Sequence, residues 1–265
     1  MQNGRSASDD AWNPVRFTNR SGRSPFILIC DHASNHIPEQ YGTLGLDKNE
    51  LTRHIAWDPG ALPVARRMAE ILDAVLVESC VSRLIVDCNR PLDAPDLFPP
   101  LSETTIIPGN QDLTDEEREE RLDLSWRPFR DAVDEIVEDR LARGDMPLLV
   151  SIHSFTPVYR GVDRPWEIGI ITDEDMRLAG PMVAALKAAG DLTVGLNEPY
   201  SPVDRVYFTL ERHGRSRGLA CAMIEIRNDE ITSEDTQTKW GDLLAGILAR
   251  LEGVAGASEQ DKKTA

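Results

Sequence analysis

The chain has 265 residues, 41% of them hydrophobic, a length and apolar share that suit one domain with a full core. Its formal charge of -16 at pH 7 argues against a nucleic-acid partner, because gripping phosphates takes clustered Lys and Arg. No apolar run approaches the ~18 to 20 residues that cross a bilayer, and residues 1–10 are polar and acidic where a secretion signal needs a basic and then an apolar stretch, so a cytoplasmic protein with no membrane partner is expected.

Residues 1–13 are rich in Ser, Gly, Asn and Asp and read as a flexible tail. The apolar run 25–30 predicts a buried strand, helical spacing covers 60–72, and short apolar runs at 74–78 and 84–87 predict two more strands. Residues 91–113 are proline-rich and aperiodic, which predicts a long loop. A helix is predicted over 115–143, opened by a capping box in which the Thr114 hydroxyl and the Glu117 carboxylate each satisfy an unpaired backbone N–H. Pro128 is expected to kink or split that helix, and Pro181 the next one. Strands follow at 148–152, 168–172, 192–195 and 220–226, with helices at 174–189, 203–212 and 234–251, and residues 252–265 read as a second flexible tail. This alternation predicts a single α/β domain over 14–251, with a mixed, mostly parallel central sheet flanked by helices on both faces. The four cysteines stand far apart without a C-x-x-C pair, as buried free thiols of a reducing compartment do.

In open α/β sheets, functional groups collect beyond the carboxyl ends of strands. Four predicted strands carry polar groups there: Asp31-His32-Ala33-Ser34-Asn35-His36, Asp87-Cys88-Asn89-Arg90, His153-Ser154, and Glu225-Ile226-Arg227-Asn228. Of the five histidines, His32 and His153 stand at strand ends. Alone, such a histidine is more often a hydrogen-bonded structural residue; two of them with strand-end carboxylates offer the donors of a catalytic zinc, which takes about three protein ligands and leaves a position for water. His36 and His54 are weaker candidates, and His213 at a predicted helix end reads as an imidazolium facing the last carbonyls. Glu225 interrupts the most apolar strand. It is either a general base whose pKa burial has raised, or half of a salt bridge with Arg227 on the same strand face. Nucleophilic catalysis by Cys30 or Ser154 stays open as an alternative, although no G-x-S-x-G elbow is present.

Taken in order, these segments resemble the N-formylglutamate amidohydrolases, a branch of the zinc carboxypeptidase-like hydrolases. The resemblance is most specific at Asp31-His32 with Ile37-Pro38, at Trp57-Asp58-Pro59-Gly60, at Ser82-Arg83-Leu84-Ile85-Val86-Asp87-Cys88-Asn89-Arg90-Pro91, and at His153-Ser154. It implies a carboxypeptidase-like fold, Zn²⁺ as cofactor, and a small N-acyl amino acid such as N-formyl-L-glutamate, whose amide bond is cleaved by metal-activated water. His32 and His153 are implied as zinc ligands. The glutamate that the carboxypeptidase pattern puts three residues after the first histidine is Asn35 here, so Asp58, an anionic oxygen donor, is the expected third ligand. Asn35 then orients substrate or supports a ligand. Asn89 and Arg90 are implied to grip the substrate's α-carboxylate, and Arg83 to polarise the scissile carbonyl or bind a second carboxylate. Glu225 is implied as the general base. The imperfect ligand pattern leaves one alternative of another class, a non-catalytic amino-acid-binding module on the same fold.

Overall fold

Seven strands build one sheet in the computed structural model, which describes residues 12–253. They are β1 (Val15–Thr18), β2 (Phe26–Cys30), β3 (Val75–Ser79), β4 (Leu148–Phe155), β5 (Ile168–Ile171), β6 (Val194–Leu196) and β7 (Cys221–Arg227). Their order across the sheet is β1-β3-β2-β4-β7-β5-β6. Neighbours β3, β2, β4 and β7 run parallel, as do β5 and β6, while β1 meets β3 and β5 meets β7 antiparallel. The predicted tails fall almost wholly outside the described residues.

The sequence of β2, Phe-Ile-Leu-Ile-Cys, shows why the sheet is central. Every residue is buried, and the period of two sends Phe26, Leu28 and Cys30 to one face and Ile27 and Ile29 to the other. Helices α1 (Ala61–Leu72), α4 (Met176–Ala188) and α6 (Glu234–Ala249) cover the first face. In α1 the buried residues Ala61, Val64, Ala65, Met68, Ala69 and Leu72 recur at three- and four-residue steps, one apolar stripe laid on the sheet. Helices α3 (Arg127–Ala142) and α5 (Phe208–His213) cover the second face. Helix α2 (Asp115–Arg121) opens with the capping box of Thr114 and Glu117.

The break expected at Pro128 takes the form of a π turn, Leu122–Trp126, that joins α2 to α3 without interrupting the helical path. Pro128 lacks an N–H and its ring crowds the carbonyl four residues back, so a widened turn just ahead of it accommodates both. The turn also seats Trp126, whose indole N–H donates to the Arg90 carbonyl at 2.9 Å.

Several sequence expectations are corrected. Residues 84–87 are not a strand but part of a buried turn, in which Ile85 N–H donates to Ser82 O and Leu84 N–H to Ser82 Oγ. Leu84, Ile85 and Val86 pack with Leu97, Phe98, Ile107 and Trp126 in a third apolar cluster away from the sheet. A short buried run has no period that separates such a turn from a strand. The helix expected over 203–212 shrinks to a 3-10 turn, Pro202–Asp204, and α5, because Arg205 takes a left-handed φ of 59° between them. Strand β1 is an unforeseen edge strand. The loops carry two small ribbons, Leu101–Ser102 paired with Thr105–Ile106, and Val158–Tyr159 paired with Val162–Asp163.

The carboxyl ends of β2, β4 and β7 lie side by side. Glu225 stands opposite His153 in the β7–β4 register, and His153 and Ser154 belong to β4 itself rather than following it.

Candidate active site

At that sheet edge the chain leaves β2 through Asp31 and His32, and Asp58 arrives on the turn that opens α1. The Asp58 N–H donates to the His32 carbonyl at 3.0 Å, fixing the two segments together. Gly60 then turns the chain at φ 82°, and a Cβ there would lie 2.5 Å from the Ile231 carbonyl oxygen, so this corner admits no side chain.

Asp58 Oδ2 lies 2.8 Å from His153 Nδ1 and 3.3 Å from His32 Nδ1. Each imidazole meets another carboxylate on its far side. His32 Nε2 is 2.7 Å from Asp87 Oδ1, and His153 Nε2 is 3.1 Å from Asp31 Oδ2, in ion-pair range though off the hydrogen-bonding direction. Those backing carboxylates are held in turn, Asp31 by the Thr209 hydroxyl and Asp87 by Arg83 Nη2 and the Asn89 N–H.

Donor atoms of His32, Asp58 and His153 all fall within 4.8 Å of one another, and all three residues are buried. Donors about 2.0 to 2.2 Å from one tetrahedral Zn²⁺ lie roughly 3.3 to 3.6 Å apart, so the trio fits such an ion with small adjustments. Carboxylates behind the outer nitrogens are what orient metal-binding histidines, and the set is two imidazoles and one anionic oxygen.

Charge is concentrated here against the cost of burial. Burial alone would raise Asp58, yet the two imidazoles hold its carboxyl far below the usual carboxylate range. Burial opposes charging His153 as well, and the flanking Asp31 and Asp58 outweigh it and hold its pKa well above the ordinary value. Glu225 behaves oppositely: burial pushes it up to about 7, Asp58 adds to the rise, and His153, His32 and Arg83 limit it. Its Oε2 is buried without a hydrogen-bond partner among the described residues. The salt bridge with Arg227 does not form, because that guanidinium pairs with Asp229 at 2.7 Å and Glu230 at 2.8 Å.

A cavity of about 300 Å³ opens over these groups. His32, Asp58, His153, Glu225, Arg83, Asn89 and Arg90 all line it. Arg83 Nη1 lies 3.5 Å from Asp58 Oδ1 while its Nη2 holds Asp87. Arg90 donates Nε to Asp96 at 2.8 Å and Nη1 to the Asn89 carbonyl at 3.1 Å. The Asn89 amide is committed internally, donating to the Val206 carbonyl and accepting from the Thr209 N–H. Asn35 is not among the lining residues, and its amide donates to the Leu51 carbonyl at 2.9 Å.

The nucleophile candidates are otherwise engaged. Cys30 is fully buried in the sheet core with its thiol pushed up by burial, and Ser154 Oγ donates to the Pro59 carbonyl. His213 is corrected too: burial lowers its pKa, and its Nδ1 meets Asp134 Oδ1 of α3 at 2.9 Å instead of facing the α5 carbonyls as an imidazolium. His36 is exposed beside Trp12, whereas His54 lines the cavity. Sequence reasoning gave no role to Asp31 and Asp87, although both stood in the quoted motifs. It also missed Glu103, Tyr159, Arg160 and Tyr200, lining residues that come from aperiodic loops and carry no local signal.

A family model, N-formylglutamate amidohydrolase, matches residues 24–232. Comparison with curated proteins gives no match. Among solved structures, a gene product of Agrobacterium tumefaciens is 47% identical with a TM-score of 0.86, over 92% of this chain and 95% of that one. The N-formylglutamate amidohydrolase of Ralstonia eutropha JMP134 is 17% identical with a TM-score of 0.64, over 92% of this chain and 98% of that one, and so shares the fold. The matched stretch opens ahead of β2 and closes beyond β7, so every cavity residue from His32 to Glu225 lies inside it, and the chain belongs to the N-formylglutamate amidohydrolase family.

Proposed function

We propose that this protein hydrolyses the amide bond of N-formyl-L-glutamate or a related N-acyl amino acid, with Zn²⁺ held by His32, Asp58 and His153. The observation that carries the reading is the meeting, at a single cavity, of three buried donors and the Glu225 carboxyl, whose Oε2 has no hydrogen-bond partner among the described residues. A divalent cation bound by those donors supplies Lewis-acid activation of water and of the scissile carbonyl.

The remaining work falls to side chains. Glu225, with a pKa near 7, is poised both to take a proton from the attacking water and to return it to the leaving amine. Water adds to the acyl carbon, the C–N bond breaks, and the products are the free amino acid and formate or another acid. Arg90 keeps its Nη2 uncommitted among the described residues, so it can grip a substrate carboxylate, and Arg83 beside Asp58 can polarise the acyl oxygen or take a second carboxylate. Asn89, with its amide engaged, orients the loop that carries Arg90. Asn35 acts at a distance by holding the Leu51 segment that leads toward Asp58.

Four free thiols and the absence, among the described residues, of any helix long and apolar enough to cross a membrane are consistent with work in the cytoplasm on a small solute. The test is metal analysis of the purified protein coupled to a formate-release assay across N-formyl and N-acetyl amino acids. A stoichiometric divalent cation with chelator-sensitive formate release is expected. Metal-independent turnover, or no turnover at any metal loading, would overturn the reading.

A further inference from the structure

Two ribbons from aperiodic loops form part of the cavity rim, and each is too small to hold itself. Both have two residues per strand, Leu101–Ser102 with Thr105–Ile106 and Val158–Tyr159 with Val162–Asp163, and isolated two-stranded hairpins are marginal in water. Their tips are tight, with Glu103 at φ 55° and Arg160 at φ 50° in the left-handed region.

One side chain joins them. Glu103 Oε1 accepts the Arg160 backbone N–H at 3.2 Å, and among the described residues this is the hydrogen bond that links the two ribbons. Glu103 Oε2 accepts Arg53 Nη2 at 3.0 Å and lies 3.4 Å from His54 Nε2. While Leu101, Ile106, Val158 and Val162 face solvent, the Glu103 side chain is only 13% exposed, so its carboxylate is turned inward as a fixed junction.

What it fixes faces the cavity. His54 and Arg160 both line it. Arg83 and Arg90 spend charge on Asp87, Asp58 and Asp96, whereas the exposed Arg160 guanidinium has no carboxylate partner among the described residues and rests near the Tyr159 ring, 5.3 Å from its centroid.

We propose that Glu103 is a positioning residue that latches the two ribbons into one rim and thereby holds Arg160 and His54 where an anionic N-acyl amino acid meets them. The proposal rests on the hydrolytic reading above for its substrate, but the latch itself is measurable without turnover.

The test compares wild type, E103A and E103Q as full-length, metal-loaded protein. Hydrogen exchange without substrate reads the latch directly. In E103A the amides of both ribbons should exchange faster, and E103Q, which keeps an acceptor oxygen for the Arg160 N–H, should preserve the protection at 158–163. Kinetics with N-formyl-L-glutamate should show KM raised roughly tenfold or more in E103A, the size expected when a displaced Arg160 no longer makes a charge-assisted hydrogen bond to the substrate, with kcat changed much less and E103Q closer to wild type. Unchanged exchange at 158–163 in E103A, or kcat falling as far as kcat/KM, overturns the proposal. Should E103A not fold, E103D, which keeps the charge on a side chain one methylene too short for the Arg160 N–H, should speed exchange at 158–163, and wild-type exchange there overturns the proposal. Failure of the wild type to cleave any N-acyl amino acid counts against the hydrolytic reading instead, and the exchange data still decide the latch.

Discussion

Glu225 on β7 faces His153 on the neighbouring parallel strand β4, in direct register at the carboxyl edge of the sheet. Strand pairing therefore sets the spacing between a carboxyl with a buried, unpartnered oxygen and one of the three metal-type donors. A strand end holds geometry better than a loop.

The first expectation follows from that pairing. E225Q keeps the shape of the side chain and removes its proton-accepting oxygen, so kcat should fall by about 10² to 10⁴, the usual share of a general base. Metal content should stay near that of wild type, because Glu225 is not among the converging donors. Parallel measurement of kcat and bound metal checks this; an equal loss of metal would assign Glu225 to the ligand set instead.

The carboxylates behind the histidines yield the second expectation. D87N leaves His32 Nε2 facing a neutral amide in place of a carboxylate at 2.7 Å, and D31N does the same for His153. Each should weaken metal binding by roughly 10- to 100-fold, read by competition with a chelator of known affinity. D87N should have the larger effect on activity, since Asp87 also anchors Arg83. Unaltered affinity in both variants would mean that the imidazoles are oriented by packing alone.

Much of this site was legible in the sequence, for reasons that differ by residue. His153 and Glu225 sit on buried apolar strands and His32 two residues past the end of one, where a polar residue stands out against its neighbours and the parallel sheet brings strand ends together. Asp58 needed the motif, because its turn has no period to read. For Asn35 and Asn89 the residue types suit substrate contact, while their amides also bond Leu51, Val206 and Thr209, partners that no motif reports. Glu103 and Arg160 were invisible, since they meet across 57 positions through a backbone N–H that no side-chain pattern reports. The same holds for residues 84–87, whose apolar run fits a buried turn as well as a strand.

The two arginines at the cavity should separate kinetically. R90A removes a guanidinium that is buried and holds Asp96 and the Asn89 carbonyl, so it should raise KM chiefly, with a smaller change in kcat. R83A removes a cation beside Asp58, where the proposed hydrolysis would build charge on the acyl oxygen, and should lower kcat as well. Steady-state kinetics on one N-formyl amino acid decides it, and identical profiles for the two variants would contradict the division of roles.

His213 lets stability be tested apart from catalysis. It is buried against Asp134, with Arg212 and Arg217 also near, and burial lowers its folded pKa below the ordinary 6.5. The unfolded chain therefore binds the extra proton first as pH falls below 6.5, so the stability that neutral His213 contributes is complete above that value and is lost as pH drops toward the folded pKa. H213Q keeps a polar side chain at the site without this titration. Well above pH 6.5 it should cost about 1 kcal/mol, the net value of one hydrogen bond, and the gap to wild type should narrow as pH falls. Denaturant titrations of both proteins across that range provide the measurement. A gap that widens on acidification would show that His213 is held as an imidazolium by Asp134, and the balance between burial and charge argued for it would be reversed.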